Sequence, residues 1–303
     1  GNDLQTRGRA MIVVVGSVNT DLVFEVERSP RPGETVLASS LSIVHGGKGA
    51  NQSVAAARLG GSVLFIGAVG TDDAGTTLTD GLEADSVDIS HVRYVAGSSG
   101  TAVVSLDHAG ENSIIVAPEA NLKIVIRPDD ERVIAAAHVV VCQLEIPLAT
   151  VLQTAQLTTG TFILNAAPAT ALPRELLDKI DVLIVNEVEC ATIFGSVETS
   201  DIRASGIPTV VTTLGSRGAM LTTQSRVDSI PAPIVDALDT TGAGDTFCGA
   251  FAQAIDAGMD TAIAARRAVV AASIATTKLG ARSAMPDTKE LERKLTEMTG
   301  RNT

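Results

Sequence analysis

Short runs of apolar, mostly β-branched residues recur along the chain, and stretches with helical composition separate them. Because these runs lack polar alternation, they predict strands that are buried on both faces of a sheet. The runs are "MIVVVGSV" from residue 11, "SVLFIGAVG" from 62, "HVVVC" from 138, "FILN" from 162, "VLIVN" from 182 and "PTVVTTLG" from 208. Helical segments include 50–60 and 148–159, followed by Ala-rich segments at 243–257, 260–278 and 287–298. The alternation predicts an α/β fold in which helices cover a parallel sheet.

Two regions depart from this pattern. Residues 22–44 and 101–117 alternate as hairpin strands do, and the second turns through "HAGEN" at 108–112. We interpret them as a small antiparallel sheet set apart from the main one, a lid formed by segments at about 21–45 and 99–117. The alternative is an extra hairpin at the edge of the main sheet.

Composition and charge narrow the class of protein. The 303 residues are 45% hydrophobic and 19% charged, which suits a substantial core, and we treat 11–303 as one domain. The polar residues 1–10 are interpreted as a remnant of the expression vector, without the apolar core of a secretion signal. A net charge of −12 without a basic cluster disfavours nucleic acid as a partner.

The sequence predicts neither a membrane-spanning segment nor disulfide bonds. No apolar run approaches the roughly 20 residues that span a bilayer. Cys142, Cys190 and Cys248 lie singly among apolar neighbours, which is typical of reduced thiols in a cytoplasmic protein.

The segment "DTTGAGDTFCG" at 239–249 carries the clearest chemical signal. Its Gly-Ala-Gly turn would present backbone N–H groups at a helix start, where anions bind, and Asp245 follows directly. Phosphoryl transfer to an alcohol needs this combination, because donors stabilise the transferred oxygens and a carboxylate takes the hydroxyl proton. The alternative role for Asp245 is a helix cap.

The common nucleotide motifs do not fit these glycines. In "GGKGAN" at 46–51 the residue after Lys48 is Gly49, so the segment is not a Walker A loop. A dinucleotide fingerprint through 242 and 244 would need glycine at 247, where Phe247 stands.

A second group of polar residues is predicted near the carboxyl end of the first strand. Asn19 and Asp21 follow that strand, and Lys48 and Asn51 accompany a diglycine that lets backbone approach a ligand. Together they could surround a polyol, although each alone is more often a cap or turn residue.

Six motifs resemble, in order and approximate spacing from residue 11 to about 286, those of the ribokinase-like (PfkB-type) carbohydrate kinases. They are "GSVNTD", "GGKGANQ", "QLE" at 143–145, "NEVE" at 186–189, "TLGSRG" at 213–218 and "DTTGAGDTF". The resemblance implies a three-layer αβα fold with a β-sheet lid, ATP as phosphoryl donor, Mg²⁺ and a monovalent cation such as K⁺. Apart from the resemblance, the lid hairpins are expected to form a homodimer or to close over the sugar, because a small sheet set apart from the core has an exposed apolar face and free edges.

Within the family, "GGKGANQ" and "QLE" favour the members that phosphorylate D-ribose at O5. Another sugar or a nucleoside is the alternative, and a catalytically silent sensor of sugar or nucleotide is a further one. A purine nucleoside is disfavoured because only 2% of the residues are aromatic. A phosphorylated sugar is disfavoured because the motifs offer only Lys48 as a cation.

The resemblance also implies residue roles. Asp245 would be the base, and the anion hole would be formed by Gly242, Ala243 and Gly244. The sugar would be bound by Asn19, Asp21, Gly46, Gly47, Lys48, Asn51, Glu145 and Asp245. ATP would contact Asn186, Thr213, Leu214, Gly215, Ser216, Arg217, Gly218, Gly244 and Val269. Mg²⁺ would be organised, largely through water, by Asn186 and Glu189. The monovalent cation would lie at Asp239, Thr241, Ala275, Lys278, Gly280 and Ala284.

Several positions depart from the family pattern. Ala284 stands where a serine is usual, and Glu119 replaces a glycine before "AN". "NAAPA" at 165–169 replaces the more usual Asn-Pro-Ala-Pro. Only residues 196–206 separate "ATIFG" from "IPTVV", so a helix expected there is shortened or absent.

Overall fold

The computed structural model describes residues 12–108 and 112–300. The predicted vector remnant at 1–10 and the centre of the "HAGEN" turn lie outside these residues. Within them, the main sheet has nine strands in the order β13-β12-β11-β10-β9-β8-β1-β4-β5. Its strands are β1 (Ile12–Val15), β4 (Val63–Gly70), β5 (Asp88–Val95), β8 (Val139–Cys142), β9 (Thr161–Asn165), β10 (Val182–Asn186), β11 (Thr209–Thr213), β12 (Ala219–Thr223) and β13 (Val227–Ile230).

Seven neighbouring strands of this sheet, β5, β4, β1, β8, β9, β10 and β11, are parallel to one another. Beyond β11, the strands β12 and β13 continue the sheet in antiparallel fashion. Both faces of the sheet are buried, as the unbroken apolar runs predict. In β1, Ile12 and Val14 pack into one hydrophobic core while Val13 and Val15 pack into the other. The predicted parallel sheet covered by helices is confirmed, with helices on both faces.

Helices connect the strands and supply the outer layers. Two of them, α1 and α8, pack against each other over one face of the sheet. The helices are α1 (Lys48–Arg58), α2 (Asp73–Ala84), α3 (Pro128–Ala136), α4 (Leu148–Leu157), α5 (Arg174–Leu177), α6 (Glu187–Phe194), α7 (Thr199–Ala204), α8 (Ala243–Asp256), α9 (Thr261–Thr276) and α10 (Thr288–Gly300). The helix expected to be shortened or absent near 196–206 is present as the six-residue α7.

The lid is a separate four-stranded sheet in the order β3-β2-β6-β7. Its strands are β2 (Asn19–Val26), β3 (Ser40–Gly46), β6 (Gly100–Asp107) and β7 (Asn112–Ala117). The two hairpins are antiparallel as expected, but the sheet is mixed because β2 and β6 pair in parallel. The reason is topological: both strands follow a strand of the main sheet and leave its carboxyl edge in the same direction. The alternative of an edge hairpin on the main sheet is excluded.

No helix among the described residues is long and apolar enough to cross a membrane.

Candidate active site

Asp245 lies in the first turn of α8, where that helix meets α1. The cap of α8 is Gly242, whose φ is 73°, and a Cβ there would lie 2.8 Å from the Cβ of Ala281, so glycine is required. The Asp245 carboxylate does not cap its own helix. One oxygen accepts a hydrogen bond from Asn51 Nδ2 and the other from Gln52 Nε2, each at 3.0 Å. Asp245 therefore joins α1 to α8 near the carboxyl edge of the sheet, where ligands of open α/β folds bind.

The turn that precedes Asp245 leaves room for a ligand. A Cβ on Gly244 would meet nothing within 4 Å, whereas Ala243 N already donates to Thr240 O at 3.2 Å. The positive end of the α8 dipole also lies here. This end of the helix can therefore receive negatively charged phosphoryl oxygens.

Asp21, on β2, lies directly over the backbone of Gly46 at the end of β3. A Cβ on Gly46 would lie 2.1 Å from Asp21 Oδ2, so only glycine admits the carboxylate. Burial raises the pKa of Asp21 to about 7, and the negative charges of Glu145 and Asp245 act in the same direction. The buried Oδ1 atom of Asp21 has no hydrogen-bond partner among the described residues. A sugar hydroxyl could supply one.

Glu145 and Lys48 meet at the start of α1. Glu145 Oε2 accepts hydrogen bonds from the Ser17 hydroxyl and from Lys48 N, the latter at 3.2 Å. Burial disfavours the charged form of Lys48, but the carboxylates of Asp245, Glu145 and Glu189 raise its pKa above the usual value. Lys48 is therefore a cation placed among three carboxylates. Sequence reasoning did not identify Ser17, although it belongs to the "GSVNTD" motif.

Asn19 is fixed by a residue that the sequence did not single out. Asn121 Nδ2 donates to Asn19 Oδ1 at 2.8 Å, while Asn121 Oδ1 accepts from Val18 N at 3.0 Å. A Cβ on Gly100 would lie 2.2 Å from both side chains. Asn121 therefore holds the start of β2 at the point where β2 pairs with β6.

Arg282 corrects one sequence argument. The motifs offered only Lys48 as a cation near the proposed sugar site, but the structure adds Arg282, a residue outside those motifs. Arg282, 8% exposed, donates from Nε to Asn51 Oδ1 at 3.0 Å and from Nη2 to Gly46 O at 3.1 Å. Burial lowers its pKa to about 10, while Asp85 and Asp21 act in the opposite direction. Its position between 280 and 286 carried no motif that signalled this contact. Two of its nitrogens bond to the protein and the third is buried, so Arg282 holds Asn51 and the end of β3 in place.

A cavity of about 350 Å³ lies beside the first turn of α8. It contains six of the predicted nucleotide contacts, namely Thr213, Gly215, Ser216, Gly218, Gly244 and Val269. Lining residues that the sequence did not predict include Pro233, Ile234, Val235, Phe247, Ala272 and Ser273. Most of these are small or apolar, so no polar motif distinguished them from core residues.

Three of the predicted nucleotide contacts, Asn186, Leu214 and Arg217, do not line the cavity. The guanidinium of Arg217 instead donates to both carboxylate oxygens of Glu187, at 2.7 and 2.8 Å. The cavity is therefore lined by the turn of "TLGSRG" without its arginine side chain.

Asn186 and Glu189 cap α6 reciprocally. Asn186 Oδ1 accepts from Glu189 N, and Glu189 Oε2 accepts from Asn186 N, both at 2.8 Å. Burial raises the pKa of Glu189. The described residues contain no cluster of three side chains of His, Cys, Asp or Glu that could hold a metal ion. A hydrated Mg²⁺ carried by ATP needs only one or two protein carboxylates, and Glu189 fits that requirement.

Asp239 connects the two parts of the chain that supply the predicted cation site. Its two carboxylate oxygens accept from Thr241 N and Gly280 N, each at 2.8 Å. Although burial acts against ionisation, these hydrogen bonds lower the pKa of Asp239, so a fixed negative charge lies behind the Gly242 turn. The Lys278 ammonium group pairs with Glu290 at 2.8 Å. Because an ammonium group cannot bind a cation, the backbone carbonyl is the part of Lys278 that could be a ligand. Ala284 is fully buried.

Known proteins that are similar to this chain are carbohydrate kinases. The family model of pfkB carbohydrate kinases matches residues 9–288. A ribokinase of Haemophilus influenzae is 38% identical over 300 residues, covering 93% of this chain and 97% of its own. A ribokinase structure from Thermotoga maritima superposes with a TM-score of 0.88 at 33% identity, covering 95% of this chain and 99% of that one. The structure of Arabidopsis thaliana ribokinase complexed with ribose and ATP gives 0.87 at 35% identity, covering 94% and 98%. The chain belongs to the pfkB family of carbohydrate kinases.

Proposed function

We propose that this carbohydrate kinase transfers the γ-phosphoryl group of ATP to O5 of D-ribose, giving D-ribose 5-phosphate and ADP. The observation that carries the proposal is the position of Asp245. Its carboxylate is bonded to Asn51 and lies close enough to Asp21 to raise the pKa of that residue, as Glu145 does, and the neighbouring Gly244 lines the cavity beside α8. The ribokinases similar to this chain, one of them complexed with ribose and ATP, support the choice of substrates.

In the proposed reaction Asp245 accepts the proton of the ribose 5-hydroxyl. The O5–phosphorus bond forms as the bond from phosphorus to the β-phosphate oxygen breaks, and ADP leaves. The amides of Gly242 and Gly244, together with the α8 dipole, would stabilise the transferred oxygens. The Ala243 amide would join them by leaving Thr240 O, to which it donates in this structure. Asp21, Asn51 and Glu145 hold the other hydroxyls of the sugar.

Two cations complete the proposal. Asn186 and Glu189 would organise Mg²⁺ through water, and the ion would neutralise charge on the transferred phosphoryl group. A K⁺ ion would lie beside Asp239 with carbonyl oxygens of its neighbours, where its charge would strengthen the anion hole.

We further propose a cytoplasmic homodimer formed through the lid. The register of the lid strands sets Ile43, Leu22, Val103 and Ile115 side by side across all four strands. Residues paired in this way share a face, and Ile43 and Ile115 are 67% and 73% exposed. A second copy covering this face would remove it from water. Light scattering at micromolar concentration tests this, and an active monomer would contradict it.

ADP release with a panel of pentoses, hexoses and nucleosides tests the proposed activity. D-Ribose is expected to give the highest kcat/KM, and 2-deoxyribose a lower one, because each lost hydroxyl leaves a buried polar group unpaired at about 1–3 kcal/mol. A higher kcat/KM for another sugar or a nucleoside would reassign the substrate. Ligand binding without ADP release from any acceptor would identify a sensor.

A further inference from the structure

Three buried side-chain amides from different motifs form a hydrogen-bonded network that reaches Asp245 through one of them. They are Gln52 of "GGKGANQ", Gln143 of "QLE" and Asn165 of "NAAPA", with exposures of 1%, 0% and 9%. None has a role in the proposed chemistry, and Gln52 and Gln143 are too deeply buried to touch a sugar or a nucleotide. Buried polar side chains are costly unless their hydrogen bonds are satisfied, so their presence calls for a physical reason.

Every hydrogen-bonding group of the Gln52 side-chain amide has a partner. Gln52 Nε2 donates to Asp245 Oδ1 and to Asn165 Oδ1, both at 3.0 Å, and Gln52 Oε1 accepts from Gln143 Nε2 at 2.7 Å. The amide therefore has partners on both hydrogens and on its oxygen.

The orientation of this network is set by its two ends. Asn165 Nδ2 donates to Ile184 O at 3.2 Å, and a backbone carbonyl can only accept. Asn165 must therefore present its oxygen to Gln52, and Gln52 must present its nitrogen to Asp245. An ionised carboxylate likewise only accepts, so both ends of the chain of bonds require the same orientation.

The backbone also makes room for the network. A Cβ on Gly16 would lie 2.1 Å from Gln143 Oε1, so Gly16 lets the Gln143 side chain lie flat against the end of β1. Asn165 is the last residue of β9, and Ile184 lies in β10. The network thus ties Asp245 to the rigid centre of the parallel sheet.

We propose that Gln52 is a positioning residue, which holds the Asp245 carboxylate in one orientation for proton abstraction through a buried amide network anchored on β9 and β10. This inference rests on the proposed function of Asp245. A precisely held base raises the rate of a step without contributing to ground-state binding, so its loss affects kcat more than KM.

Kinetics of Gln52→Met and of a control variant test this role. Methionine has a similar length and removes the donor, so kcat is expected to fall about 10- to 100-fold, as loss of one hydrogen bond to a charged group allows. The KM values for ribose and ATP are expected to change less than about threefold. Val54→Ala, which creates a cavity two residues away on the same helix, lowers thermal stability but is expected to keep kcat. An unchanged kcat in Gln52→Met, or an equal loss in Val54→Ala, would overturn the proposal.

Crystal structures provide a readout that needs no substrate. The wild-type carboxylate is expected in one orientation, bonded to Gln52, and in Gln52→Met it is expected to rotate or to occupy several orientations. An Asp245 turned away from Gln52 in the wild type, or unchanged in the variant, overturns the positioning role. If the wild type releases no ADP with ribose, the proposed substrate fails, and this comparison still decides the role of Gln52.

Discussion

At the scale of single residues, Asp21 links the proposed sugar site to the stability of the fold. Burial and the nearby charges of Glu145 and Asp245 raise its pKa to about 7 from the usual aspartate value of 3.8. Between these values the folded protein binds a proton that the unfolded chain releases, so the contribution of Asp21 to the free energy of unfolding falls as pH rises from about 4 to about 7.

Asp21→Asn should therefore remove this pH dependence. Relative to the wild type, the variant is expected to gain stability between about pH 5 and about pH 8, because the wild type must ionise a buried carboxylate and the amide need not. Urea unfolding of both proteins at the two pH values measures the difference. A stability difference that is the same at both would contradict the assigned environment of Asp21.

The residues that position other side chains of the candidate site were harder to predict than the residues proposed to contact the ligands. Asp21, Asn51 and Asp245 stand in short polar motifs beside glycines, where a ligand is the simplest explanation. Gln52 and Arg282 act through partners distant in sequence: Arg282 bonds to Asn51, 231 positions away. One sequence contains no sign of such a pairing.

At the scale of elements, strands buried on both faces were the most predictable. "HVVVC" and "VLIVN" became β8 and β10 because an unbroken apolar run is suited to the centre of a parallel sheet. By contrast, β5 ("DISHVRYV") alternates polar and apolar residues at the sheet edge, and its pattern did not stand out. The lid itself was predicted, but the parallel pairing of β2 with β6 was not, because that pairing depends on where β2 and β6 leave the main sheet.

The turn that precedes Asn121 carries local strain. Glu119, an exposed residue, has φ 44°, in the left-handed region that glycine adopts readily and other residues rarely do. Glu119→Gly is expected to raise the free energy of unfolding by up to about 1 kcal/mol, since relief of strain exceeds the entropic cost of glycine.

Glu119→Ala is the matched control, because alanine removes the charge and side chain but keeps the unfavourable φ. Chemical denaturation of the three proteins measures both effects. A gain in Glu119→Ala equal to that in Glu119→Gly would assign the effect to the carboxylate instead of the backbone.

At the scale of the whole molecule, the proposed cation site connects two distant segments. Asp239 precedes α8 and bonds to Gly280, which follows α9, so a bound ion would hold the two chain segments behind the anion hole. Turnover is expected to rise when K⁺ replaces Na⁺ at constant ionic strength, and Asp239→Ala is expected to abolish the rise with little change in ribose affinity. Activity that is indifferent to both ions would contradict the cation assignment and leave the Asp245 mechanism untouched.

The role of Asp245 as the base is the central claim, and Asp245→Asn tests it most directly. Asparagine keeps the size of the side chain and its oxygen can still accept from Gln52, but its amide nitrogen faces the donor Asn51 Nδ2. Tm is therefore expected to fall by a few degrees, while ribose and ATP still bind in calorimetry. Without a carboxylate to take the O5 proton, kcat for ribose phosphorylation is expected to fall about 100- to 10,000-fold. A folded Asp245→Asn variant that phosphorylates ribose at nearly the wild-type kcat would contradict the account.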